Sequence, residues 1–163
     1  MLLFYFMSPK NLRKIILLII PLALLLLIVV LSIIAPILEY KRLEISRNYY
    51  YIFHNICNQL PTRCLFIYTS PMALCARCFF IYLALFITGI VLLKNKINKI
   101  YWRISLILIL PCIIDGGTQY LGFRLSNNVL RSITGGLAGI GLGLIFFPLY
   151  FRVIKFFIKG GDS

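Results

Sequence analysis

One run of residues limits the architecture before anything else does. From Ile15 to Leu38 the chain carries no charged residue and is apolar almost throughout. About 20 such residues are enough to cross a bilayer as a helix. In hydrocarbon the backbone must satisfy its own hydrogen bonds, which makes a helix the required form. Lys10, Arg13 and Lys14 precede the run. It is too long for the core of a signal peptide, and no small-x-small cleavage site follows it, so it is a retained anchor. Pro21 and Pro36 lie near its ends, where a membrane helix absorbs them.

Three further stretches have the length and apolarity to span, at about 72–93, 101–120 and 132–151. The expected fold class is all-α integral membrane: about four transmembrane helices in one domain, residues 1–163, with a Cys-containing interfacial loop between the first and second. Within that loop, Tyr49-Tyr-Tyr-Ile-Phe53 is too short to cross and places tyrosines at headgroup level. Hydrophobic residues make up 61% of the 163, and Lys and Arg outnumber Asp and Glu by 17 to 4. The basic residues stand in short clusters between apolar blocks, as membrane loops require, and not on one polar face. Nucleic-acid binding is thereby excluded. The lipid bilayer is the first expected partner, and the oligomeric state is left open.

With four spans and both termini on one side, that side holds Lys10, Arg13, Lys14, Lys94, Lys96, Lys99, Arg103, Arg152, Lys155 and Lys159, and the other holds the remaining seven of the 17. The excess predicts a multi-pass protein of the cell membrane with both termini cytoplasmic. Whatever the sign, the Cys-rich loop and the turn between spans three and four share a face.

That loop carries His54, Cys57, Cys64, Cys75 and Cys78, the last pair within Cys75-Ala-Arg-Cys78. Two short-spaced chelating pairs separated by a loop suit a tetrahedral metal site, zinc being the favoured ion for mixed Cys/His donors. His54 and Cys57 with Cys75 and Cys78 make one ligand set; the four cysteines, with His54 behind them, make another. A structural disulfide and a redox-active Cys-x-x-Cys compete. Arg77 between the thiols and a helix start beneath them both favour thiolate. Cys112, apart in the third span, reads as a small buried apolar residue.

A second constellation follows in Asp115, Gln119, Arg124, Ser126, Asn127, Asn128 and Arg131. Asp115 stands inside an apolar span, where a carboxylate is costly unless paired, which makes it a candidate functional group. Gln119, four residues on, shares its helix face. Arg124 and Arg131 are within reach of Asp115 from the adjoining turn. Either they pin spans three and four as an internal ion pair, or they bind an anion such as a lipid headgroup or envelope precursor. Gly135, Gly139 and Gly143 form a four-residue stripe that admits close helix approach, expected here as internal packing against span two or three.

The segments "ICNQLPTR", "ALCARCFFIYL" and "PCIIDGGTQYLGFRLSNNVLRSITGG" resemble a family of small bacterial and archaeal membrane proteins catalogued as a domain of unknown function. The resemblance covers rather over half the chain and implies the fold and the site without an activity. This chain has Asn58 where that family usually has His, Phe79-Phe80 where it has Thr-Gly, and Cys64 where it generally has Ser. If the family histidine is a metal ligand or proton carrier, Asn58 removes that role, and Cys64 is the expected substitute ligand. A fainter resemblance, carried by Asp115, Gln119, Arg124, Asn128 and Gly135, is to VanZ-like envelope proteins and implies contact with an anionic lipid or cell-wall precursor.

Three functions follow as expectations. The first is a metal site on the outer face, with Asp115 or His54 moving protons if it is catalytic. The second is a thiol–disulfide oxidoreductase, resembling the plan of quinone-linked disulfide-forming enzymes, with electrons passing from Cys57/Cys64 to Cys75/Cys78 and on to a quinone. The third is a non-enzymatic lipid-binding or envelope protein using Arg124, Arg131 and Asp115. One intramembrane acid and four spans argue against a monomeric carrier. No phosphate-binding glycine loop, Ser-His-Asp set or paired catalytic carboxylates are present.

Overall fold

The structure, a computed structural model, describes residues 9–95, 99–123 and 126–160. Among the described residues, five helices and one hairpin follow in the order α1 Pro9–Tyr40, α2 Ile45–His54, β1 Cys64–Ile67, β2 Ser70–Cys75, α3 Ala76–Lys94, α4 Trp102–Tyr120 and α5 Asn128–Gly160, with a 3-10 turn at Pro61–Arg63 before the hairpin. Three helices among the described residues are long and apolar enough to cross a membrane, over Ile16–Tyr40, Ala76–Lys94 and Asn128–Phe156. The expected span at 101–120 corresponds to α4, which is not among these three. Its 19 residues, about 28 Å at the helical rise, are long enough. Asp115, Gln119, Arg103 and the Gly116-Gly117 pair dilute its apolar character.

The expected second span, 72–93, needs a corrected start. Residues 70–75 are the second strand of an antiparallel hairpin, and the helix begins at Ala76. Chain direction explains the change: Ser70-Pro-Met-Ala-Leu-Cys75 is apolar enough to look continuous with the helix, but pairing with β1 satisfies its backbone instead. Tyr68, with φ +55°, makes the tight reversal between the strands. The connection between α1 and α3 is accordingly a helix, a 3-10 turn and a hairpin, more ordered than an interfacial loop.

Two apolar clusters hold the elements together. One joins α1, α2, β2 and α3 through Val29, Ala35, Phe53, Met72, Leu74 and Phe79. The other joins α1, α3 and α5 through Leu22, Leu25, Leu92, Phe147 and Phe151. The Tyr40 and Tyr68 rings stack at 4.7 Å, fixing the hairpin turn on the end of α1. At the far end the Tyr150 hydroxyl donates to the Leu17 carbonyl at 2.7 Å. Many large apolar residues of the three candidate spans remain exposed, among them Leu24, Leu27, Ile87, Ile90 and Leu149. A lipid environment gives such residues their burial.

The glycine stripe acts as expected from its spacing, and its partner is α3. A Cβ on Gly135 would lie 2.5 Å from the Arg77 carbonyl oxygen, and one on Gly143 2.7 Å from the Thr88 methyl. Gly139 faces the Ile81 carbonyl in the same way. Small residues thus bring two backbones into contact along three turns. Gly141, off the stripe, faces Ser105 and Ile109 of α4, so α5 lies between α3 and α4. We expect Gly135→Ala to lower stability in detergent by about 1–3 kcal/mol through overpacking. Gly136→Ala, where a Cβ meets nothing within 4 Å, should be neutral or stabilising by up to about 1 kcal/mol. Thermal unfolding of the two variants in one detergent checks the contrast.

Candidate metal centre

The hairpin and α3 meet at Cys75. That residue ends β2, pairs across the hairpin with Cys64, and occupies the N-cap of α3 in extended conformation. Cys78 stands three residues on, in the first turn of the helix. The loop after α2 brings Cys57 to the same place. The sulfur atoms of Cys57, Cys75 and Cys78 all lie within 4.8 Å of one another. The backbone N–H of Cys75 donates to the Cys57 sulfur at 3.3 Å. The positive end of α3 lies beneath all three.

Gln59 holds Cys57 in position. Its backbone is in the left-handed region at φ +48°, which turns the chain sharply after Cys57. Its side-chain amide donates to the Tyr50 carbonyl at 2.8 Å and to the Ala73 carbonyl at 2.9 Å, tying the loop to α2 and β2. The Tyr50 hydroxyl donates to the Pro71 carbonyl at 2.6 Å, closing the same frame from the other side. Neither residue is among the expected site residues. The signal for Gln59 was available in the Cys-x-Gln of the resembling family; Tyr50 gave none, being one of three consecutive tyrosines.

A cavity of about 300 Å³ opens in front of the sulfurs, lined by His54, Asn58, Arg63, Cys57, Cys75 and Cys78 among others. His54, exposed at the end of α2, borders this space but does not join the close group of three sulfurs. Cys64 is 1% exposed, sits one strand away, and does not join it either. All five cysteines are free thiols, and Cys112 stands apart in α4.

Hydrogen bonds from the Cys75 and Cys78 thiols, helped by the N–H groups of Gln59 and Cys75, hold the Cys57 thiol far below its ordinary range despite burial. Donating to Cys57 pushes Cys75 up. Burial, reinforced by the neighbouring sulfurs Cys75 and Cys57, pushes Cys64 up to about 12. The first proton therefore leaves the trio easily, and the resulting negative charge is shared among three sulfurs.

The second constellation is rearranged relative to expectation. Arg77 turns away from the thiols it separates in sequence and forms an ion pair with Asp115 of α4. The expected partners of Asp115 were Arg124 and Arg131; Arg124 lies outside the described residues. The Ser126 hydroxyl donates to Asp115 at 3.1 Å. Asp115 is 2% exposed, and the pair joins α3 to α4. Gly116 leaves room for the guanidinium, whose Nη1 would lie 3.4 Å from a Cβ there. Arg131 donates instead to the Asn128 side chain at 2.9 Å, and Asn128 in turn donates to the Cys64 carbonyl at 3.1 Å. The turn between α4 and α5 is thereby tied to the hairpin, so it shares a face with the cysteine segment as the sequence requires. Gln119 shares the Asp115 face one turn on, and its side-chain nitrogen is buried with no partner among the described residues.

In metal-free protein at pH 7 we expect iodoacetamide to alkylate the group of Cys57, Cys75 and Cys78 first and to leave Cys64, 1% exposed, unmodified until the chain unfolds; peptide mass mapping over time reads the order. Removing one member of the buried ion pair by Asp115→Ala should cost about 3 kcal/mol or more, because Arg77 keeps its charge. An Arg77→Met/Asp115→Leu double variant should recover most of that loss, as unfolding in detergent would reveal.

The comparisons with known proteins agree with a membrane protein and give no activity. The model of the family described as "Predicted membrane protein (DUF2085)" matches residues 57–145. An uncharacterised protein of Methanocaldococcus jannaschii is 41% identical over 117 residues, covering 68% of this chain and 73% of its own. An uncharacterised protein of Methanothermobacter thermautotrophicus is 39% identical over 95 residues, covering 57% of this chain and 86% of its own. No solved structure matches significantly. The matched segment begins at the first cysteine of the trio and ends just beyond the last glycine of the stripe, and on that match the chain belongs to the DUF2085 family of predicted membrane proteins.

Proposed function

We propose that this membrane protein holds one thiophilic metal ion, zinc favoured, on Cys57, Cys75 and Cys78. The observation that carries this reading is three sulfurs, all within 4.8 Å of one another, at the mouth of one cavity. Zinc–sulfur bonds of about 2.3 Å set sulfur–sulfur edges of about 3.8 Å in a tetrahedral site, so a contraction of about an ångström suffices. Mixed sulfur and imidazole donors favour zinc among common ions. The cavity in front of the sulfurs would leave room for a fourth donor, either His54 from its border or a small ligand. That is the arrangement of a zinc centre that polarises a bound molecule. Cys64 is a reserve thiol one strand behind. His54, at the cavity, is the better placed of the two proton-carrying candidates, since Asp115 is engaged by Arg77 and Ser126.

The topology that goes with this reading has α4 crossing beside α5 as a fourth span. The neutralisation of Asp115 by Arg77 supports it, because pairing removes most of the cost of a carboxylate at that depth. Both termini are then cytoplasmic and the thiols face outward, in a multi-pass protein of the cell envelope.

A second reading draws on the same proximity. Five free thiols, three of them neighbours, suit a membrane thiol–disulfide oxidoreductase with a quinone as electron acceptor. Metal analysis with free-thiol counting, on protein purified anaerobically in detergent, separates the two. We expect about one zinc per chain and five free thiols after chelation, with the metal lost from Cys57→Ser, Cys75→Ser and Cys78→Ser and kept by Cys64→Ser. A metal-free protein with fewer than five thiols would overturn the metal reading in favour of the redox one.

A further inference from the structure

The positive charge around the thiol cavity exceeds what the protein itself balances. Arg63 lines the cavity, half-buried, and no carboxylate meets it among the described residues. Arg131 is 5% exposed, and its electrostatic neighbours are Arg63 and Arg77 on the repelling side and Asp115 and Cys75 on the attracting side. Gly135, one turn after Arg131, touches the Arg77 backbone, so Arg131 stands on the face of α5 that meets the start of α3. The helices α3 and α5 both begin here and add their positive ends. Among the four acids of the chain, Glu39 accepts from Ser46, Glu44 stands at the N-cap position of α2 and does not line this cavity, and Asp162 lies outside the described residues. Asp115 is the acid at this place, and it already serves Arg77.

Unused donors lie on the helices that meet beside this cavity. Arg77 Nε, Arg131 Nε and Gln119 Nε2 are buried with no hydrogen-bond partner among the described residues. They come from α3, α5 and α4, three helices joined by the Arg77–Asp115 pair and the Gly135 contact. A buried donor without a partner costs about 1–3 kcal/mol, more when charged, so three together call for an acceptor. Buried guanidinium groups of like charge call for a negative one.

We propose that Arg63, Arg77, Arg131 and Gln119 form an oxyanion site beside the thiol cavity, suited to a phosphate group. Guanidinium N–H pairs match the oxygens of phosphate, and the Gln119 amide adds a neutral donor. At this level of the protein the group arrives either as free phosphate or as the headgroup of an anionic lipid. The site needs no metal at the thiols, although an anion entering past Arg63 lies close to the fourth metal position.

The test uses the full chain, metal removed by chelator, in a neutral detergent. Inorganic phosphate titrated against thermal unfolding at constant ionic strength should stabilise the protein. Arg131→Gln should weaken that response about tenfold or more, as loss of a charge-assisted hydrogen bond does. Gln119→Leu guards against a mere folding defect. It deletes an unpaired buried donor, so it should leave the ligand-free protein as stable as the wild type or more so, and still blunt the phosphate response. Stabilisation in phosphatidylglycerol nanodiscs over phosphatidylcholine nanodiscs, lost in Arg131→Gln and absent with free phosphate, assigns the site to a lipid headgroup. The reverse pattern assigns it to a soluble phosphate. No stabilisation by either source, or a response unchanged in both variants, overturns the proposal. These outcomes are independent of zinc content, so failure of the metal reading and failure of this one are distinguishable.

Discussion

The Arg77–Asp115 ion pair is the interaction on which the rest of the arrangement depends. Each charge stands in or beside an apolar helix, where alone it would cost several kcal/mol. Together they join the first turn of α3 to the last turns of α4. The pair also decides what surrounds the thiols. A guanidinium between two cysteines in sequence would ordinarily be counted as their electrostatic activator. By turning to Asp115 it leaves that task, at Cys57, to the neighbouring Cys75 and Cys78 thiols, helped by the helix end and backbone N–H groups.

Rigidity at the thiol face has several sources that reinforce one another. The hairpin presents Cys75 at the N-cap of α3, and Gln59 and Tyr50 bind the Cys57 loop to that hairpin. Asn128 ties the start of α5 to the strand carrying Cys64. Behind this face, the Gly135–Gly139–Gly143 stripe lets α5 press against α3, so that Arg131 and Arg77 are held near each other despite like charge. Packing energy is thus spent on bringing cations together, which is unusual unless an anion is to be accommodated.

Much of this was legible from residue order, and the omissions have physical causes. The apolar runs gave four expected spans, and three of them correspond to helices long and apolar enough to cross among the described residues. The glycine spacing gave close helix packing, because four-residue periodicity puts small residues on one face whatever the partner. The Cys-x-x-Cys and its upstream cysteine gave the trio, while His54 and Cys64 were grouped with it and stand at its border. Spacing limits which donors can meet and leaves open which do. The strand at 70–75 was hidden because an apolar segment is compatible with either helix or hairpin until its pairing partner is known. Sequence proximity pointed from Asp115 to Arg124, outside the described residues, and Arg131; helix packing also brings Arg77 to it from 38 residues away.

The sequence by itself determined that this is a membrane protein, that its cysteines gather before a helix, and that one helix face is small. These are local properties, set by hydrophobicity, by spacing and by helical period. The tertiary structure alone decided that three sulfurs and not five come within 4.8 Å of one another, that Arg77 serves Asp115, and that buried donors on three different helices are left without a partner among the described residues. Those outcomes depend on directions in space between residues far apart in the chain, and direction is fixed only when helices pack.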